Sequence, residues 1–108
     1  MAARLTAGLW VDAYRHRLGL MGISCYIAAR GDPTAGAVLV KLALMNGEAR
    51  VFARTVTPEG REWTVLKEGA EAEVDASIAR QRGFDPDLWV VEVEDARGRH
   101  LLDEPGLD

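Results

Sequence analysis

Few side chains in this sequence stand where they could do chemistry together. Glu92 and Glu94 come closest: one residue apart in DLWVVEVED, they share one face of an extended segment, and two carboxylates so placed are hard oxygen ligands of the kind that hold Mg²⁺. That pairing supports a small metal-dependent hydrolase or nuclease, although the lysine such nucleases place two positions after the acid is missing. The plainer role for Glu92 and Glu94 is to stand across from Arg50, Arg54 or Lys41 as exposed ion pairs, each worth about 0.2–1 kcal/mol. The cations Lys41, Arg50 and Arg54 form a second candidate group. On one sheet face they would make a local positive patch for another protein or a small anionic ligand.

The remaining reactive side chains are isolated. Cys25 is the single cysteine, so no internal disulfide can form, and with only His16 and His100 beside it there is no zinc-ligand spacing. It lies in an apolar run without a cationic neighbour, which predicts a packed, inert thiol. His16 and His100 lack a neighbouring Ser or Cys in a triad pattern and are expected in solvent. RGDPTAGAVLVKL, residues 30–42, has the look of a glycine-rich anion loop but lacks the GxxxxGK[ST] spacing, and no helix start follows it. Asp32 can accept from the backbone two residues on, Pro33 presets the next φ, and Gly31 and Gly36 supply any left-handed geometry, so the stretch reads as a turn.

Positioning these groups requires a small number of elements. Trp10, Tyr14, Leu18 and Met21 recur at helical spacing, with Arg17 as a rim residue and Gly19 and Gly22 ending the helix; Ile23 to Ala29 reads as a strand. Asn46-Gly47 between two β-rich runs predicts a hairpin with a two-residue type I′ turn. Leu44 then faces Ala49, Leu42 faces Val51 and Val40 faces Ala53 on an apolar face. Ala43 with Arg50, Lys41 with Phe52 and Leu39 with Arg54 form a mixed, partly covered one. REWTVL adds a fourth strand with Trp63 and Val65 on one side. A second helix is expected from about Ala70 to Arg82, with Ala70, Val74 and Ile78 inward, and Gly83 placed to cap it. Its Ala72, Ala76 and Ala79 side is either solvent surface or a place where another chain, including a second copy, approaches closely. FDPDLWVVEVED supplies a strand with Trp89, Val91 and Val93 on one face; RHLL adds a short edge strand, and residues 103–108 read as a frayed tail.

With GLWVDAYRHR, RGDPTAGAVLVKL and FDPDLWVVEVED in hand, the chain resembles the domain-of-unknown-function 1491 family, short bacterial proteins found mainly in alphaproteobacteria. The resemblance covers nearly the whole length and implies a bacterial cytoplasmic protein. The family has no assigned activity or cofactor, so the resemblance carries no site residues across.

Size and charge bound the rest. A chain of 108 residues suits one domain, able to bury roughly two-thirds of its unfolded surface. Its net charge of −4, with no block of like charge, argues against a duplex nucleic-acid partner, whose phosphates require clustered Lys and Arg. No stretch approaches the ~20 apolar residues that span a bilayer, and the charged N-terminus is unlike a signal peptide, so a cytoplasmic location is expected. The expectation is a single α+β domain over residues 1–108: a mostly antiparallel twisted sheet of four to six strands with two helices on one face, in the order αββββαβ. The expected function is a non-enzymatic binding or protein-interaction module with no cofactor, the metal-dependent hydrolase centred on Glu92 and Glu94 being the alternative.

Overall fold

The first helix starts where the sequence supplies a cap. The Thr6 hydroxyl accepts from the Leu9 N–H at 3.4 Å, and α1 runs Ala7–Leu20 with Ala7, Trp10, Val11, Tyr14 and Leu18 buried at three- and four-residue spacing. The structure, a computed structural model, describes residues 5–107, apart from the side chains of residues 56 and 57. After α1 come β1 (Ser24–Ala29), β2 (Val38–Ala43), β3 (Glu48–Thr57), β4 (Gly60–Ala70), α2 (Glu71–Phe84) and β5 (Trp89–Glu94). The order αββββαβ and the α+β class are as expected. The five strands form one sheet in the order β1-β5-β2-β3-β4, antiparallel except for the parallel pairing of β2 with β5, so the sheet is mixed. The parallel pair arises because α2 carries the chain from β4 back to the middle of the sheet.

The β2–β3 hairpin is offset by one residue from the predicted register. Leu39 pairs with Ala53, Val40 with Phe52, Lys41 with Val51, Leu42 with Arg50 and Ala43 with Ala49. Three residues, Met45 to Gly47, make the loop: Met45 and Gly47 take positive φ of 64° and 90°, the Leu44 N–H donates to the Glu48 carbonyl at 3.0 Å, and Asn46 Oδ1 accepts from the Glu48 N–H at 3.0 Å. The loop is also tied elsewhere, because the Gly47 carbonyl accepts the Glu71 N–H at the start of α2, at 2.9 Å. Since side chains alternate along a strand, the slip moves Lys41 to the opposite face from Arg50 and Arg54.

The two helices do not share a face. Trp10, Val11, Tyr14 and Leu18 of α1 pack with Val38, Val40, Leu42, Phe52, Trp89, Val91 and Val93, while Val74 of α2 packs with Leu39, Ala49, Val51 and Leu88 on the other side. The cause lies in β2, which is apolar on both sides but for Lys41 and is buried at all six positions. Trp10 and Trp89 are buried as expected, whereas Trp63 is half-buried and Met21 is exposed.

The C-terminal segment differs most from expectation. Residues 99–102 form no strand, and residues 103–107 are not frayed: Leu102 and Leu107 are 4% and 1% exposed in the α1-side core. The segment is fastened by three bonds, two from α1 and one from β4. The Tyr14 hydroxyl donates to the His100 carbonyl at 2.7 Å, Arg17 donates to the Pro105 carbonyl at 2.8 Å, and the Trp63 indole N–H donates to the Leu107 carbonyl at 3.0 Å. No helix among the described residues is long and apolar enough to cross a membrane.

Candidate functional site

Lys41 is the buried centre of a partly exposed charge cluster. Its ammonium lies 2.7 Å from Glu71 Oε2, 2.7 Å from Asp75 Oδ1 and 3.4 Å from Glu92 Oε1, with the lysine side chain only 5% exposed. The elements explain the convergence: the parallel register sets Glu92 beside Lys41, and Glu71 and Asp75, four residues apart, fall on the same face of α2 above them. Burial alone would depress the ammonium pKa, but hydrogen bonds to Asp75 and Glu71, with the charge of Glu92, outweigh it and hold the pKa above the ordinary lysine value. The group is a fixed cation, unable to serve as a base near neutral pH.

Glu92 is therefore committed to Lys41, and its interaction with Tyr26, paired opposite it on β1, raises the phenol pKa. Glu94 shares its face but forms no ion pair among the described residues, and no group of three His, Cys, Asp or Glu among them is placed for a metal ion. The expected positive patch is not assembled. Arg50 reaches Glu68 at 3.2 Å on the face opposite Lys41, and the Arg54 guanidinium lies over the rings of Trp10 and Trp63, 5.4 and 5.3 Å from their centres.

Residues 30–36 are held as a turn. Asp32 Oδ2 accepts from the Thr34 and Ala35 N–H groups at 3.2 and 2.8 Å, and the carbonyls of Thr34 and Pro33 accept from Ala7 and Gly8 at the start of α1. Its glycines are required by crowding, not by left-handed backbone: a Cβ on Gly31 would lie 2.1 Å from the Asp87 carbonyl oxygen, and one on Gly36 2.5 Å from it. The Asp32, Thr34, Ala35 and Gly36 N–H groups, which could have cradled an anion, are used inside the protein.

One concave surface was not anticipated. A cleft of about 350 Å³ opens between β3, β4 and the C-terminal segment, walled by Phe52, Trp63, Leu102 and Pro105, and rimmed by Arg61, Glu62, Asp103 and Glu104. His100 lines it and is half-buried, not solvated: its ring packs on Phe52 with centres 4.7 Å apart, and its Nδ1 accepts the Leu102 N–H at 3.0 Å. Burial lowers its pKa, Asp103 opposes that shift, and Arg50 reinforces it. The segment is sent back over the sheet by Asp95, which accepts from the Arg99 side chain at 2.9 and 3.1 Å and from the Arg99 N–H at 2.7 Å. The Arg99 side chain holds the Asp95 carboxyl below its ordinary pKa against the opposing effect of burial. Of the other reactive residues, Cys25 is half-buried against the α1-side core and His16 is exposed on α1.

A family model described as "Protein of unknown function (DUF1491)" matches residues 5–103. The chain belongs to the DUF1491 family. The crystal structure of a DUF1491 family protein from Caulobacter crescentus superposes with a TM-score of 0.85 at 41% identity, covering 94% of this chain and 98% of that one. An NMR structure of a DUF1491 protein from the same organism gives 0.82 at 40%, covering 96% and 97%. A solution structure of a protein from A. tumefaciens gives 0.74 at 27%, covering 85% and 86%. No curated protein matches the chain. The DUF1491 fold is thus shared over nearly the full length, and the family's description assigns it no activity.

Proposed function

We propose that this DUF1491 protein is a small cytoplasmic interaction module that docks a basic segment of a partner protein in the cleft beneath residues 99–107. The observation that carries this reading is the chemistry of the cleft: aromatic and apolar walls with three carboxylates, Glu62, Asp103 and Glu104, that make no ion pair among the described residues. One guanidinium, Arg61, stands against those three, so a cationic guest is favoured over an anionic one. Exposed pairs contribute about 0.2–1 kcal/mol each, so three supply at most about 3 kcal/mol and the apolar walls must supply the rest. The non-enzymatic reading is supported by the commitments of the reactive groups: Glu92 is held by Lys41 and interacts with Tyr26, and the His100 ring is engaged by Leu102.

The test is an NMR titration with a short peptide rich in Arg and Lys and with its Asp/Glu counterpart. The basic peptide is expected to shift the Trp63 indole, His100 and Asp103 signals, to lose affinity at high salt, and to lose it again in E62Q/D103N/E104Q. Equal binding of the acidic peptide, or an unchanged response in that variant, overturns the reading. Calorimetric Mg²⁺ or Mn²⁺ binding that vanishes in Glu92→Gln would instead establish the metal-dependent alternative.

A further inference from the structure

We infer that His100 is an acid-sensitive latch: its neutral ring holds the turn at Leu101 and Leu102 down on the sheet, and protonation unseats that turn and takes the cleft apart. The inference rests on the proposed site only in naming what is taken apart. The latch itself is a piece of hydrogen-bond geometry. Nδ1 accepts the Leu102 N–H at 3.0 Å, which puts the ring proton on Nε2. A protonated imidazole has donors at both nitrogens, so Nδ1–H would face the Leu102 N–H, donor against donor, with no acceptor between them.

The residue between them is already under strain. Leu101 has φ of 60°, a conformation a leucine occupies only when its neighbours hold it there, and the His100–Leu102 bond is the bond that spans it. Losing that bond frees Leu101 to return to ordinary backbone, which lifts Leu102 from its buried seat and withdraws Asp103, Glu104 and Pro105 from the cleft wall.

The groups facing His100 set the direction. From β3 come Arg50, which disfavours the charged ring, and Phe52, against which the ring packs. From β4 come Arg61 and Glu62 at the cleft rim, and from the segment itself Asp103, which favours the charged ring, with Glu104 and Arg99 beyond. From α1, Tyr14 donates to the His100 carbonyl and Arg17 to the Pro105 carbonyl, bonds indifferent to ring charge. Burial is the largest influence, and the ring in the docked segment titrates below its ordinary value of 6.5. Because the docked state binds the proton less well than the released state, docking is strongest above pH 6.5 and weakens as pH falls below it.

The experiment is an NMR pH titration of the protein alone, from about pH 7.5 to 4.5, following the His100 ring nitrogens, the Leu102 and Leu107 amides and the Trp63 indole N–H, with the Leu42 and Val93 amides as core references. The expected result is that ring and segment signals follow one curve with a midpoint below 6.5 while the core signals stay fixed. Protection of the Leu102 amide, corrected for intrinsic exchange, falls by up to about tenfold per pH unit, the limit for a single proton. His100→Asn provides the matched variant, since an Asn carbonyl can accept the same bond without titrating, as Asn46 does for Glu48 in this chain. It is expected to keep the segment docked throughout. A ring that titrates without moving the segment, a ring that stays neutral to pH 4.5, or equal release in His100→Asn overturns the inference. If His100→Asn does not fold, the wild-type curves decide alone. No peptide is present, so failure here leaves the peptide titration untouched, and failure there leaves this one so.

Discussion

Replacing Lys41 by methionine tests whether the charge cluster is held together by its ammonium. Methionine keeps most of the length of the stem and its packing beneath α2, so the change removes the charge and leaves Glu71, Asp75 and Glu92 converging on an apolar side chain. Breaking a fully buried pair costs about 3–5 kcal/mol. Here the cost is discounted, because Glu71 and Asp75 are 40% and 53% exposed and can turn to water, while Glu92, at 13%, cannot. The expected loss is about 2–3 kcal/mol at pH 7, a shift in the urea midpoint of roughly 1–2 M. The deficit should shrink in acid, where protonated carboxylates stop repelling one another, and at high pH. At the alkaline end the sign follows from the raised lysine pKa: its contribution is fully present below the unfolded value of about 10.4 and is lost as pH rises through the higher native value, so the two proteins converge there. Adding Glu92→Leu to Lys41→Met removes the orphaned charge and should recover more than half the loss. A Lys41→Met midpoint within about 0.5 kcal/mol of wild type, the range of ordinary surface changes, would refute the reasoning, as would failure of Glu92→Leu to rescue it.

Three further outcomes follow from geometry. Gly31→Ala drives a Cβ to 2.1 Å from the Asp87 carbonyl and is expected to cost at least the ~1–3 kcal/mol of overpacking, whereas Gly47→Ala, with nothing within 4 Å, bears only the strain of its φ of 90°; thermal melts should separate them. Trp89→Ala removes a buried indole and its N–H bond to the Asp32 carbonyl at 2.7 Å, an expected loss of about 3–5 kcal/mol by urea denaturation; a midpoint like wild type would show the packing wrong. Asp95 has a lowered pKa, so its contribution is present above about 3.9 and is lost as pH falls through the native value. Asp95→Asn should therefore flatten that acid limb of the stability curve, and an unchanged limb would contradict the role given to the Arg99 pair.

Much of the fold was legible because local pattern and tertiary packing agree. The spacing of Trp10, Tyr14 and Leu18 is the buried stripe of α1, and Asp32 makes the turn its chemistry predicts. The candidate sites were less legible, and the reason is parity. Whether the β2–β3 loop holds two residues or three decides which face Lys41 joins, and the three-residue loop is tied by the bond between the Gly47 carbonyl and the Glu71 N–H, 24 residues away along the chain. With two loop residues Lys41 would have stood with Arg50 and Arg54; with three it stands alone beneath α2. The parallel partner β5, which brings Glu92 beside it, is equally non-local. The docked C-terminal segment did leave a signal: Leu102 and Leu107 are apolar residues in a stretch otherwise acidic, and Asp95 and Arg99 are spaced to close a turn.

The clamp on Lys41 answers a weakness visible in α2 itself. That helix buries only Val74 and Ser77, with Ile78 partly covered, and it begins without a side-chain cap. An apolar stripe so thin fixes the depth of a helix on a sheet but resists sliding poorly, because displacing it by one turn loses little contact. Polar contacts resist such a slide far more, since a hydrogen-bonded ion pair is lost with a small displacement. Lys41 meets Glu71 and Asp75 at 2.7 Å from one side, and the Gly47 carbonyl meets the Glu71 N–H at 2.9 Å from the end. These bonds tie α2 to β2 and to the β2–β3 loop, beside the parallel pairing that brings Glu92 to the centre of the sheet. The charge buried at Lys41 thus acts on position as well as stability, since its contacts to Glu71 and Asp75 hold the crossover helix in one place.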